Sequence, residues 1–385
     1  DWPIEIHDES LRDGLQSPSV FTPNTEQKCE LIRILSKIGI DSTGIGFPAA
    51  SQLIEVEMTE IAKVVAKEKL QLNLTCLARP IESDILPIIK ISQSSGLWLE
   101  PFIFIGSSPI RQAIEKWDFT NMISLLKQGI SFAVKEGLAA TCYTEDTTRA
   151  HPKDLEQIYL SAIDCGAKMI GIADTVGHAT PLGIFNLINF IRNMLNKRGL
   201  YEVKIDFHGH MDRGLGLINA MIALSAGANR VHGCVLGIGE RSGNVPIDQL
   251  LVNLKLMGWI DKDLSLLSHY CETASGYFKS PIPENYPIFG NNAFQTSTGI
   301  HASAIIKANN KNANLSDLIY SGVPASWFAK HQTICVGPMS GKSNIIYWLK
   351  KNNYHVTEQL INKLLSFAKQ AKKVLTDDEI KKILE

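Results

Sequence analysis

The residues most able to do chemistry lie in "DFHGHMDRGLG", positions 206–216. His208 and His210 stand two apart at the end of an apolar run. Side chains alternate along a strand, so the two imidazoles share one face. A pair of this kind is most often hydrogen-bonded in a core or at its rim. Its meaning changes because other polar segments also follow apolar runs: "HDESLRDGLQ", "TEDTTR", "ADTVGH" and "GIGERSGN". Among these, Asp13 and Asn244 are the best candidates to join the histidines. An acid, an amide and two imidazoles form a mixed oxygen and nitrogen set suited to Zn, Mn, Mg or Co. Four protein ligands leave room for a chelating substrate on a five- or six-coordinate metal, which is a Lewis-acid site.

The elements that must position these groups are legible as a repeat. Short β-rich runs occur at 3–8, 41–47, 70–78, 97–105, 138–143, 168–174, 203–208 and 230–236, with helical patterns between them. In "TEQKCELIRILSKIG", Leu31, Ile34, Leu35 and Ile38 fall on one helical face, and Gly39 ends it. Near-continuous apolar strands alternating with helices indicate parallel strands covered on both faces. Eight such units predict an α/β fold, a (β/α)8 TIM barrel, whose usual length is about 250 residues. A doubly wound sheet is the alternative, but no Gly-x-Gly-x-x-Gly follows the first strand. We therefore expect a barrel over 1–260, then a linker and helical subdomain over 261–385. There, Leu360, Ile361, Leu364, Leu365 and Ala368 make one apolar stripe, and Thr376 with Glu379 forms a capping-box pattern.

Composition excludes several classes. A formal net charge of −1 with no long basic tract argues against nucleic acid or an anionic membrane as main partner. No apolar run approaches the roughly 18 residues needed to span a bilayer. The seven cysteines are scattered without a Cys-x-x-Cys pair, which leads us to expect buried thiols in a reducing cytoplasm.

Taken in order, "RDGLQ" (12–16), "GFPAAS" (46–51), "ADTVG" (173–177), His208–His210–Asp212, "GERSGN" (239–244) and "GIHAS" (299–303) carry a resemblance. The chain resembles the metal-dependent Claisen-condensing barrels of the DRE-TIM metallolyase superfamily. These are the 2-isopropylmalate, homocitrate and citramalate synthases, with 3-hydroxy-3-methylglutaryl-CoA lyase as a cousin. The resemblance implies an acyltransferase that joins acetyl-CoA to an α-keto acid, giving a 2-hydroxy-2-substituted succinate and CoA. It implies a divalent metal on Asp13, His208 and His210, with Asn244 near or on it. Arg12 would meet the keto oxygen and its developing charge, while Gln16, Arg79 and Thr175 would contact the keto acid. Glu145 would orient substrate or water, and Glu240 with Arg241 would build a loop over the metal. His301, accompanied by Tyr320, would reach into a partner's barrel and help deprotonate the acetyl group, which implies a homodimer with an exchanged C-terminal region. No room remains for a leucine-regulatory domain, so none is expected.

Two features bear on synthase against lyase. Cys234 is followed by the synthase-like "VLGIGERSGN", whereas Leu15 in "RDGLQ" is lyase-like. The balance favours a synthase, with a carbon–carbon lyase and a catalytically silent metabolite-binding barrel as alternatives. An amidohydrolase-type site is set aside, because its His-x-His belongs on the first strand. Four positions depart from the family pattern near the substrate. Gly44 stands for a glutamate, Phe102 for a histidine, Tyr143 for a serine and Met211 for an asparagine. Either these are drift with compensating repacking, or the pocket takes something other than 2-oxoisovalerate. If the pocket has changed, Phe102→His and Tyr143→Ser together will reorder a keto-acid preference series; an unchanged order speaks for drift.

Overall fold

The computed structural model describes residues 3–385. Among them, β1 (Glu5–Asp8), β2 (Ser42–Gly46), β3 (Asn73–Ala78), β4 (Glu100–Gly106), β5 (Thr141–Glu145), β6 (Met169–Asp174), β7 (Lys204–Gly209) and β8 (Arg230–Gly233) close into one parallel barrel in sequence order. β8 pairs back onto β1, with Glu5 opposite Arg230 and Asp8 opposite Gly233. This is the TIM barrel expected from the repeat. The strand ends lie within three residues of the apolar runs.

Helices cover the outside: α1 (Thr25–Ile38), α2 (Gln52–Glu68), α3 (Glu82–Ser95), α4 (Pro109–Glu115), α5 (Phe119–Lys135), α6 (Pro152–Asp164), α7 (Pro181–Lys197), α8 (Gly216–Ser225), α9 (Ile247–Leu256) and α10 (Leu267–Phe278). α1 shows how local sequence sets their limits. Asn24 and Gln27 form a reciprocal capping box at its start, and Gly39 adopts φ 84° at its end. Its Leu31, Ile34, Leu35 and Ile38 are buried, as their spacing requires.

The inside of the barrel is unusual in being polar and aromatic. Ring contacts link His7 of β1, Phe102 of β4 and Tyr143 of β5 with His232 of β8, with centroids 4.2–5.7 Å apart. Beneath them Arg230 pairs with Asp206 at 2.7 Å and Glu100 at 2.8 Å, and lies 5.1 Å from the Phe102 ring centre. Thr141 donates to the same glutamate. Outward-facing Ile6, Ile103, Ile170, Ile205 and Val231 are fully buried.

The chain divides into two compact units, the first ending at Pro281 and the second being Ile282–Glu385. The boundary falls about 20 residues beyond position 260, because α10 belongs with the barrel. Its Tyr270 and Phe278 are buried, and the Phe278 carbonyl accepts from the Phe21 amide at 2.8 Å. The second unit contains β9 (Gln295–Thr296), α11 (Gly299–Lys311), α12 (Ala313–Ile319), β10 (Thr333–Ile334), α13 (Lys342–Lys351), α14 (Glu358–Gln370) and α15 (Asp377–Leu384). Ile345, Trp348 and Leu349 of α13 pack with Ile361 and Leu364 of α14 and Ile380 of α15. Thr376 and Glu379 form the expected capping box. Among the described residues, no helix is long and apolar enough to cross a membrane.

The interior depends on one close fit. A Cβ at Gly171 of β6 would stand 2.4 Å from the Tyr143 ring, so that ring needs a glycine beside it. Overpacking of this kind costs about 1–3 kcal/mol. Gly171→Ala is expected to lower the urea midpoint accordingly, and the same change made in a Tyr143→Ser background should cost much less; equal loss in both backgrounds would contradict the coupling.

Candidate active site

The candidate site is assembled at the C-terminal ends of the strands, where barrel enzymes place their chemistry. After β1 the chain turns tightly. Asp8 accepts from the Ser10 amide at 2.9 Å and from the Ser10 hydroxyl at 3.0 Å, and Tyr270 donates to the same carboxyl at 2.8 Å. The Arg12 and Gly14 amides both donate to the Glu9 carbonyl, which presents Arg12 and Asp13 over the barrel mouth. His208 is the last residue but one of β7, and His210 forms an isolated bridge with Asn244. Gly239 adopts φ 151° beside that asparagine, and a Cβ there would meet the Asn244 Nδ2 at 2.4 Å. Only glycine lets the loop close over it.

These turns bring three donors together. The Asp13 Oδ2 lies 3.3 Å from His208 Nε2 and 3.7 Å from His210 Nε2, and the two nitrogens are 3.1 Å apart. Asp13 Oδ1, His210 Nδ1 and Asn244 Oδ1 are buried with no hydrogen-bond partner. Unpaired buried polar atoms are costly unless something else satisfies them. Burial opposes ionisation of Asp13, yet the Arg12 guanidinium and the two imidazoles outweigh it and hold the carboxyl well below its ordinary range. Burial, aided by His208, pushes His210 down to about 3, so its ring is neutral with a free lone pair. An ionised carboxylate, neutral imidazole and an unsatisfied amide oxygen fit a divalent cation.

The ring of His208 is held from behind. Its Nδ1 faces His232 Nδ1 at 3.2 Å, and His232 Nε2 meets the Asp206 carboxylate at 3.0 Å and the Tyr143 hydroxyl at 2.9 Å. Such outer partners fix a ligand's tautomer and direction. His7, Glu9 and His232 form a second buried trio. Their ring nitrogens are all matched, by Ser42, Glu9, His208 and Asp206, so this trio is a hydrogen-bond network.

A cavity of about 330 Å³ opens over Asp13, His208 and His210. Arg12, Gln16, Thr175 and Glu145 also line it, as does Glu240. Its apolar wall is made by Leu77, Phe102, Phe104 and Tyr143. The Tyr143 hydroxyl points away from this space and donates to Asp206. Thr175 Oγ1 accepts from the Asp146 amide at 2.8 Å. Burial raises the Glu145 carboxyl above its ordinary value, against Arg111 at 3.8 Å.

Arg79 and Arg241 do not line this cavity. Arg79 is forked onto Asp84 at 2.7 and 3.0 Å and lines a neighbouring cavity of about 610 Å³ with Arg111 and Trp117. Arg241 pairs with Asp212 at 2.8 Å and donates to the Thr175 carbonyl at 2.6 Å, so it braces the loop. His301 and Tyr320 lie in the second unit, where their rings stack with centroids 4.1 Å apart. Glu9, Glu100, Asp206, Arg230 and His232 were missed by sequence reasoning. The signal was present: Asp206 precedes His208 by two, Glu100 precedes Phe102 by two, and Arg230 precedes His232 by two. Period two places each on the same inward face.

The closed barrel with an acid and two histidines at its mouth defines a TIM barrel that gathers a set of groups able to hold a cation at its strand ends. The chain belongs to the HMGL-like family, whose profile matches residues 3–273. It is 31% identical to the homocitrate synthase AksA of Methanocaldococcus jannaschii, over 99% of this chain and 90% of that one. It is 29% identical to the 2-isopropylmalate synthase of Sediminispirochaeta smaragdinae, over 97% of this chain and 74% of that one. Among solved structures, the HMG-CoA lyase of Bacillus subtilis superposes with a TM-score of 0.61 at 21% identity, covering 74% of this chain and 96% of the lyase. That likeness is one of fold.

Asp8 makes the turn sensitive to pH. Burial raises its carboxyl from 3.8 to about 7, despite hydrogen bonds from Ser10 and Tyr270 that favour the charged form. The unfolded chain ionises Asp8 near its ordinary value while the folded chain keeps the proton, so unfolding releases a proton between about pH 4 and 7. This group's contribution to stability therefore falls as pH rises through that window. Asp8→Asn cannot ionise; its melting temperature should gain on the wild type steadily from pH 4 to 7. A constant gap would show that Asp8 does not titrate this way.

Proposed function

We propose that this chain is a Claisen-type acyltransferase that condenses acetyl-CoA with an α-keto acid and releases CoA. The observation that carries this reading is the set of unsatisfied ligand atoms on Asp13, His210 and Asn244, the first two residues lining a cavity that also contains Arg12. Family membership and relatives named as synthases support it. Asp13, His208 and His210 would hold a divalent metal, with Asn244 alongside. When bound, that cation supplies Lewis-acid polarisation of a carbonyl.

The chain's own residues do the rest. Arg12 keeps guanidinium donors beside the site and stabilises the charge that grows on the keto oxygen. One such donor is worth about 2.7–4 kcal/mol in known oxyanion sites. Thr175 Oγ1 accepts the Asp146 amide, which frees its own proton for the substrate carboxylate. Gln16 contacts the keto acid from the turn after β1. Arg79 lies beside the entrance, where it meets an anion approaching from the neighbouring cavity. Glu145, with its raised pKa, directs water or substrate and releases its proton late in a pH titration. Glu240 and Arg241 belong to the covering loop. His301, with Tyr320 stacked on it, accepts the acetyl methyl proton in the barrel of a second copy. The working unit is then a homodimer with an exchanged C-terminal region. Free cysteines, most of them buried, suit a reducing cytoplasm.

The apolar wall favours a keto acid with an uncharged side chain. Apart from Arg12 and the imidazoles, none of the described residues lining this cavity carries positive charge to receive a distal carboxylate. Pyruvate, 2-oxobutyrate and 2-oxoisovalerate are therefore expected to be turned over ahead of 2-oxoglutarate. CoA thiol release with Mg, Mn, Co or Zn, repeated with a chelator, measures this. Asp13→Asn should lower kcat/KM by about 10³ or more. No release with any keto acid, together with cleavage of a hydroxyacyl-CoA, would reassign the protein as a carbon–carbon lyase.

A further inference from the structure

Glu9 stands one residue beyond β1 and is 1% exposed, and none of the roles above uses its side chain. Its Oε2 accepts from Arg12 Nε. Its Oε1 accepts from His7 Nε2 at 3.0 Å and lies 3.5 Å from His232 Nδ1. Burial opposes charge on this carboxyl, but Arg12 and the two histidines outweigh it and hold Glu9 ionised. A second observation comes from the adjacent strand. A Cβ on Gly44 would meet Glu9 Oε2 at 2.7 Å, so the carboxylate fills the space that a side chain at 44 would need. Position 44 is where the family pattern leads one to expect a glutamate.

We propose that Glu9 is a positioning residue: it supplies, from just beyond β1, a buried carboxylate transposed from position 44 of β2, and by holding the Arg12 Nε it limits that guanidinium to one terminal contact with Asp13. The inference rests on the role given to Arg12 above. The Arg12 terminal nitrogen already lies 3.3 Å from Asp13 Oδ2. Tied at Nε by Glu9, the guanidinium meets Asp13 through one terminal nitrogen only and still lines the cavity. Without Glu9 it is free to fork onto Asp13 and compete with a divalent cation for that carboxylate.

Three variants test this: Glu9→Gln, Glu9→Ala, and Glu9→Ala combined with Gly44→Glu. Mn²⁺ affinity, read by calorimetry, is expected to fall about tenfold in Glu9→Gln, the size usual for loss of an outer partner. With the best keto acid, kcat should fall about 100-fold while KM for acetyl-CoA moves by less than about threefold. The double variant should recover at least about tenfold in kcat over Glu9→Ala, and regain Mn²⁺ affinity, because the carboxylate has been returned from the other strand. Wild-type Mn²⁺ affinity and kcat in Glu9→Gln would overturn the proposal. So would a folded double variant no better than Glu9→Ala. If the double variant does not fold, the near-isosteric Glu9→Gln decides alone. If the wild type turns over no keto acid, the proposed reaction fails, and the Mn²⁺ measurement still decides the role of Glu9.

Discussion

Charges buried inside the barrel must each find a partner, and the site depends on how this constraint is met. The fully buried Arg230 is matched by Asp206 and Glu100, and Asp206 in turn holds His232 and Tyr143. Removing one member of such a pair typically costs about 3–5 kcal/mol, because the other charge is stranded. The network therefore fixes side chains more strictly than aliphatic packing would. His232 can face His208 only because Asp206 holds its far nitrogen.

From that floor the order passes upward. His208 is oriented by His232, and Asp13 is kept ionised by Arg12 and the imidazoles. Arg12 is in turn anchored on Glu9. At the mouth Asp13, His210 and Asn244 retain unmatched atoms, whereas the side chains of His7, Glu9 and His232 all find partners. That difference separates the Asp13–His208–His210 trio from the His7–Glu9–His232 trio, although both bring ligand atoms within 4.8 Å.

The same interior shapes the cavity above it. Phe102 and Tyr143 occupy inward positions of adjacent strands, with ring centroids 4.9 Å apart. Tyr143 fits because Gly171 leaves room beside it, and its hydroxyl is satisfied by Asp206. What reaches the cavity is thus mainly its ring. Around Tyr143 the packing is close, with Gly171 against the ring, and the cavity wall to which the ring contributes is apolar.

The amino-acid sequence by itself determined the strand and helix order, the barrel, and the convergence of Asp13, His208, His210 and Asn244. Periodicity, caps and motif order are local properties, and parallel strands in a repeat have few ways to close. It also pointed to Gly44, Phe102 and Tyr143 as departures, without saying what compensates them. Only the tertiary structure decided that Glu9 fills the space over Gly44, that Arg79 turns to Asp84, and that α10 packs with the barrel. The inward facing of Glu100, Asp206 and Arg230 was legible from their spacing, but not which would pair, since they are up to 130 residues apart along the chain. Their pairing is a matter of strand register and low local dielectric, which no spacing between neighbours encodes.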